Sequence, residues 1–259
     1  MYDATADPGI RVERRGSVLL VTIDRPHVRN AVTEPSAVAL AEAWDLLDSD
    51  DGLRVGVLTG SGGTFCSGRD LRAALLGDHP WVHDRGFAGT VERGPVKPLV
   101  AAVEGHALGG GFEIVLACDL VVAGESAVFG LPEVTRGRIA GAGGLNRLAQ
   151  RIPYNRAVEI GLTGRPVGAG ELHDLGLVNR IVADGQAAEA ALGLAAQIAG
   201  NAPLAVRASA EVLRAARDWP DAEMFSRLEQ IASRVRSSDD AREGALAFAE
   251  KRPPIWTGR

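Results

Sequence analysis

Residues 97–120, Lys-Pro-Leu-Val-Ala-Ala-Val-Glu-Gly-His-Ala-Leu-Gly-Gly-Gly-Phe-Glu-Ile-Val-Leu-Ala-Cys-Asp-Leu, restrict this chain more than any other stretch. Leu99 to Val103 is an apolar run of the length of one buried strand. A turn at Glu104-Gly105 follows, then three consecutive glycines, Gly109, Gly110 and Gly111, then an apolar segment from Phe112 to Cys118 that stops at Asp119. The pattern predicts a strand, a glycine-rich turn and a helix. Glycine tolerates positive φ and lets another group approach the backbone closely. A helix that opens on such a turn presents free N–H groups backed by the positive end of its dipole, a donor array suited to a negatively charged oxygen.

Two nucleotide fingerprints are excluded by spacing. A dinucleotide G-x-G-x-x-G fails because the next glycine after Gly105 is at 109, and a phosphate-binding P-loop needs Lys and Ser/Thr where Gly111 and Phe112 stand. Two readings remain. In one, the N–H groups hold an oxyanion that develops during a reaction, with the Glu113 carboxylate beside them. In the other, the glycines serve tight packing and Glu113 complements the helix dipole.

The bulk properties narrow the partners. A formal net charge of −5 argues against a nucleic acid held by bulk electrostatics, so an anionic ligand must be bound by local groups. Cys66 and Cys118 form no close-spaced pair, which argues against a structural zinc or a disulfide framework. Residues 1–9 lack a basic region followed by an apolar one, and no uncharged apolar run approaches membrane-spanning length. A cytoplasmic protein without a membrane partner is expected. His79 and His83 are four apart, but Pro80 opposes a regular helix there and no metal site is expected.

Along the chain, Val18 to Ile23 reads as a strand, Thr33-Glu34-Pro35 as a helix start with Thr33 as cap, and Val55 to Thr59 as the next strand. Leu120 to Ala123 and Ala127 to Phe129 read as short strands, and Leu131-Pro132-Glu133 as the opening of a helical turn. Ile139-Ala140-Gly141-Ala142-Gly143-Gly144 is a second glycine-rich turn before a helix from Leu145 to Arg151. From about residue 184 only helices are predicted: Ala187 to Ala199, one from Asn201-Ala202-Pro203, Asp221 to Ser237, and Asp240 to Lys251. Strands alternating with helices, then helices alone, indicate an α/β core with a helical appendage. Glu113 and Glu133 each stand at a helix start beside a glycine-rich turn. They can be helix-end acids, or they can converge on one substrate. Two carboxyls in different environments can take a proton at one point of a substrate and deliver one at another.

The central segment, with its Lys-Pro, apolar strand, Gly-His-Ala-Leu-Gly-Gly-Gly, Glu and Cys-Asp, resembles the signature of the enoyl-CoA hydratase/isomerase (crotonase) family. The similarity extends through Asp24-Arg25-Pro26 to Asn30-Ala31, Phe65-Cys66-Ser67-Gly68-Arg69-Asp70-Leu71, the turn at 139–144, Leu162-Thr163-Gly164, Gly176 to Val182 and Phe248-Ala249-Glu250-Lys251-Arg252. In the 139–144 turn Ala140 stands where the family usually carries proline. The resemblance implies a crotonase (ClpP-like) superhelix of ββα units over residues 1–195. It also implies a helical region over 196–259 that mediates a homo-oligomer, a trimer or a dimer of trimers.

The implied activity is enoyl-CoA hydration, with isomerisation, dehydration of a specialised hydroxyacyl-CoA, or acyl-CoA binding without catalysis as alternatives. The implied substrate is an acyl-CoA thioester, with no cofactor beyond its coenzyme A. By the same resemblance Glu113 activates the water, Glu133 delivers the proton, and the backbone N–H groups of Arg69 and Gly110 form the oxyanion hole. Ser67, Gly68, Asp70, Leu71, Gly109, Gly141, Phe248 and Lys251 are the implied substrate-binding positions. Lys251 would meet a coenzyme A phosphate, with Arg25 and Arg29 as further candidates. The stretch 72–96 would help to line the acyl pocket.

Overall fold

The computed structural model describes residues 7–259. Residues 1–6, part of the N-terminal stretch read above for a leader, lie outside the described residues. The chain opens on an antiparallel pair, β1 (Ile10–Arg15) and β2 (Val18–Ile23). A 3-10 turn at Pro26–Val28 leads to α1 (Glu34–Ser49), β3 (Val55–Gly60) and the short α2 (Leu71–Leu75). A small hairpin, β4 (Trp81–Val82) and β5 (Gly86–Phe87), precedes β6 (Leu99–Val103), β7 (His106–Leu108), α3 (Gly110–Ala117), β8 (Leu120–Gly124) and β9 (Val128–Gly130). A 3-10 turn at Pro132–Arg136 is followed by α4 (Gly144–Arg151), α5 (Tyr154–Thr163), β10 (Val167–Gly168), α6 (Ala169–Asp174) and β11 (Arg180–Val182). Four helices complete the chain: α7 (Ala187–Ala199), α8 (Pro203–Ala215), α9 (Met224–Arg236) and α10 (Asp239–Glu250).

The strands make a six-stranded sheet in the order β1-β2-β3-β6-β8-β11, parallel from β2 onward, and a smaller sheet in the order β10-β9-β7. Successive units give one strand to each sheet. β6 and β7 do so, then β8 and β9, and Cys66 extends the small sheet through a parallel bridge to Ala107. This is a stack of ββα turns.

Both faces of the large sheet are covered, as parallel sheets require. Leu19, Val21, Leu58, Ala101 and Val121 face one core with Trp44, Phe65 and Phe112. The alternate residues Val18, Leu20, Val57, Val100 and Val122 face α7. That helix meets them with Ala187, Ala191, Ala195 and Ala199, four small residues at a spacing of four that put one stripe against the strands.

Several features go beyond the sequence reading. β1 lies on a sheet edge and is rich in charge, so its strand signal is weak, and edge charges of this kind also discourage further pairing. β7 occupies part of what reads as a continuous turn, because three residues flanked by glycines are too short to show a period. Thr33 stands at the cap position of α1, but its hydroxyl bonds Ser36 Oγ at 3.0 Å, and the Glu34 N–H donates instead to Asp78 Oδ1 at 2.8 Å. The expected division at residue 195 falls inside α7, whose buried stripe extends to Ala199 on the sheet.

Candidate active site

Both readings of the glycines hold, at different positions. At Gly111 the glycine serves packing, since a Cβ there would lie 2.0 Å from the Cys66 carbonyl oxygen. Gly109, at φ 55° and ψ −125°, turns the chain into α3 and leaves its open side to Glu133, whose Oε1 would lie 3.1 Å from a Cβ at that position. Gly110 lies under the ring of Phe87 and against Gly68, where a Cβ would come within 2.9 Å of the Gly110 nitrogen.

Two backbone donors meet at this contact. Around Arg69 the chain is fixed by Val32 N–H to Gly68 O (2.8 Å) and Asp70 N–H to Val32 O (2.9 Å). The Arg69 and Gly110 N–H groups themselves donate to no protein atom among the described residues. Unpaired backbone donors in so compact a region are costly and rare, and they suit an oxyanion supplied by a ligand.

Glu113, in the first turn of α3, is 4 % exposed. Its Oε1 accepts the N–H groups of Ala142 (2.7 Å) and Gly144 (3.0 Å), both in the second glycine-rich turn. Gly144 has no room for a side chain, because a Cβ would stand 2.7 Å from the Glu113 Cγ. Burial raises the Glu113 pKa, the two N–H groups oppose the rise, the charge of Glu133 adds to it and that of Arg147 counters it. Glu133 sits on the 3-10 turn, with Oε2 buried and without a partner among the described residues. Burial raises its pKa too, countered by its own backbone N–H and by Arg136. The structure thus brings together two carboxyls, Glu113 buried and gripped by two N–H donors and Glu133 half-buried with an unpartnered Oε2, beside two free backbone donors.

The other expected positions divide. Ser67 and Gly68 form the loop beside Gly110, and Leu71 begins α2 half exposed. Asp70 spends its carboxylate on the fold: Oδ1 caps α2 through the N–H groups of Arg72 and Ala73, and Oδ2 lies 3.5 Å from Arg25. Arg25 also donates to Ala31 O (2.7 Å) and so clamps this corner, whereas Arg29 is exposed. Gly141 is the exposed outer corner of its turn, and the donors that reach Glu113 belong to Ala142 and Gly144. Phe248 and Lys251 lie exposed at the end of α10. His79 lies against Trp81 and His83 pairs with Asp84; among the described residues no cluster of His, Cys, Asp or Glu could hold a metal ion.

Sequence reasoning places Trp81 and Phe87 in the stretch that would help to line the acyl pocket but gives no individual role to either, nor to Arg147. Trp81 packs on Phe87 with centroids 5.1 Å apart, and the Arg69 guanidinium lies 5.8 Å from the Trp81 ring and donates to the Asp78 carbonyl. Phe87 thereby walls the Gly110 donor, with Trp81 packed behind it. The one signal for it was the expectation that the stretch 72–96 lines the acyl pocket.

A superhelix of ββα units with paired carboxyls beside two free backbone donors defines a crotonase-fold protein. The family model of enoyl-CoA hydratase/isomerase matches residues 13–259, and the chain belongs to this family. It is 42 % identical over 266 residues to an enoyl-CoA hydratase, EchA19, of Mycobacterium tuberculosis, covering 100 % of both chains. A carnitinyl-CoA dehydratase of Escherichia coli is 40 % identical over 258 residues, with 96 % of this chain and 98 % of the relative covered. Among solved structures, an enoyl-CoA hydratase from Mycobacterium tuberculosis matches with a TM-score of 0.96 at 49 % identity, covering 98 % of this chain and 100 % of that one. A carnitinyl-CoA hydratase from Mycobacterium avium matches with a TM-score of 0.78 at 45 % identity over the same shares.

Proposed function

We propose that this protein is an enoyl-CoA hydratase, adding water across the 2,3 double bond of a 2-enoyl-CoA to give a 3-hydroxyacyl-CoA. The observation that carries the reading is the asymmetry of the two carboxyls. Hydrogen bonds from Ala142 and Gly144 favour the charged form of Glu113, the state a base needs, while the bare, buried Oε2 of Glu133 favours a proton. Glu113 takes a proton from water as its oxygen bonds Cβ. The double-bond electrons move through Cα to the thioester oxygen, where the Arg69 and Gly110 N–H groups hold the developing charge. Glu133 then delivers its proton to Cα. Coenzyme A enters as part of the substrate, and the reaction as written uses no other cofactor.

Around this centre, Ser67, Gly68, Gly109 and Leu71 would bound the thioester, and Phe248 and Lys251 would reach a coenzyme A from a neighbouring subunit. The exposed apolar residues of α8–α10 support a homo-oligomer, which we infer to be a trimer or dimer of trimers working in the cytoplasm.

A second reading, dehydration of a specialised hydroxyacyl-CoA, uses the same groups in reverse and is favoured by the 40 % identity to a carnitinyl-CoA dehydratase. The guanidinium of Arg69 beside the site opposes an acyl group with a quaternary ammonium. Following enoyl thioester absorbance decides the main reading. Glu113→Gln and Glu133→Gln should each lower turnover by about two to four orders of magnitude in folded protein. The double variant should lose far less than the product of the two losses. Near wild-type turnover in either single variant removes that residue from the mechanism, and product analysis on crotonyl and hydroxyacyl thioesters separates hydration from the second reading.

A further inference from the structure

The turn that grips Glu113 has no proline to stiffen it: Ala140 precedes Gly141, Ala142, Gly143 and Gly144. Its support comes from Arg147, three residues into α4. The guanidinium donates from one terminal nitrogen to the Ala142 carbonyl at 3.5 Å and from the other to the carbonyl of Val91, in the segment that follows the hairpin. The turn is shaped around it. Gly143 lies at φ 84°, and a Cβ there would stand 2.4 Å from an Arg147 nitrogen. The backbone of Ala142 is thus held at its carbonyl by Arg147 and grips Glu113 through its N–H.

We propose that Arg147 is a positioning residue for Glu113, bracing the 141–144 turn against Val91 so that the turn's N–H groups hold the carboxylate where it meets water. The inference rests on the reading of Glu113 as the base. It joins the acyl-pocket segment to the catalytic carboxylate through one side chain. A planar fork that spans two carbonyls does this better than a flexible ammonium. The positive charge also matters. Facing Glu113 are Glu133, which disfavours its ionisation, and Arg147, which favours it; facing Arg147 are Glu113, Glu92 and Cys118.

The test compares Arg147→Met and Arg147→Lys with wild type and Glu113→Gln, using kcat and KM for crotonyl-CoA across pH, with folding checked by circular dichroism. Arg147→Met should lower kcat about ten- to a hundredfold, the scale of a small misplacement of a reacting group, while KM stays near wild type. The acid limb of its kcat profile should move to higher pH, because the charge that favours ionised Glu113 is gone. Arg147→Lys should keep the wild-type acid limb but still lose kcat, since it cannot bridge both carbonyls. Wild-type kcat and acid limb in folded Arg147→Met overturn the proposal; if that variant does not fold, wild-type kcat in Arg147→Lys overturns it. When Glu113→Gln is inactive and the Arg147 variants are unimpaired, only this inference falls. Wild-type turnover in Glu113→Gln takes the underlying reading down as well.

Discussion

Glu113 and Glu133 are held at a cost to the fold, and the sign of that cost can be measured. Burial raises both pKa values. A carboxyl whose folded pKa lies above its unfolded one binds its proton more tightly when folded. Its contribution is therefore fully present below the unfolded pKa and is lost as pH rises through the folded value. Wherever either carboxyl is ionised in its desolvated place it weakens the fold, and Glu113, the base, is the one that must be ionised to act. Glu113→Gln can still accept from Ala142 and Gly144 and should melt above wild type at pH 7, with the gap closing below about pH 4.3, the ordinary glutamate value. Calorimetry at the two pH values checks this; an equal offset at both would contradict it. The same shifts give a bell-shaped kcat profile, its acid limb set by ionisation of Glu113 above the ordinary glutamate range and its alkaline limb by loss of the Glu133 proton. A flat profile from pH 5 to 9 would contradict the pairing. At this scale the two acids were legible because each adjoins glycines. Their partners were not: Ala142 and Gly144 reach Glu113 from 29 and 31 residues away through backbone N–H groups, which carry no residue signature.

At the scale of elements, legibility followed length and periodicity. β2, β3, β6 and β8 are apolar on both faces and read as buried strands, and α7 shows as an alanine-rich helix. β4, β5, β7 and β10 have two or three residues each, and only tertiary pairing makes them strands. The role of the α7 alanines emerges from the packing, because all four are buried against a sheet face that carries the buried Val57, Val100 and Val122. Ala195→Leu should therefore overpack this layer and lower stability by about 1–3 kcal/mol. Urea denaturation would read it, with a correspondingly lower midpoint and an unchanged slope. A wild-type midpoint would mean that the layer between α7 and the sheet can open to admit a leucine.

For the whole molecule the C-terminal helices pose the remaining question. α8 is tied to the core by Arg214, whose fork grips both oxygens of Asp119 at 2.7 and 2.6 Å and the carbonyls of Pro95, Val96 and Lys97. The tail is strapped to α10 by Asp240, which accepts the N–H groups of Thr257 (2.7 Å) and Gly258 (3.0 Å). The polar ties are thus complete, yet the apolar side chains are not covered. No residue of α8 is buried and Ile231 alone is buried on α9, while Leu213, Phe225, Phe248 and Ile255 are each about three-quarters exposed or more. A set of this kind, spread over three helices and the tail that polar contacts hold in place, is what a subunit interface leaves on an isolated chain. If copies cover it, Phe225→Glu buries a charge in the assembled interface and should shift the species seen by light scattering at micromolar concentration toward monomer. Lys251 then separates assembly from substrate binding. Lys251→Ala should leave the mass unchanged and raise KM for crotonyl-CoA more at low salt than at high salt, as the loss of a phosphate contact requires. A fully active wild-type monomer would remove both the interface and the shared site.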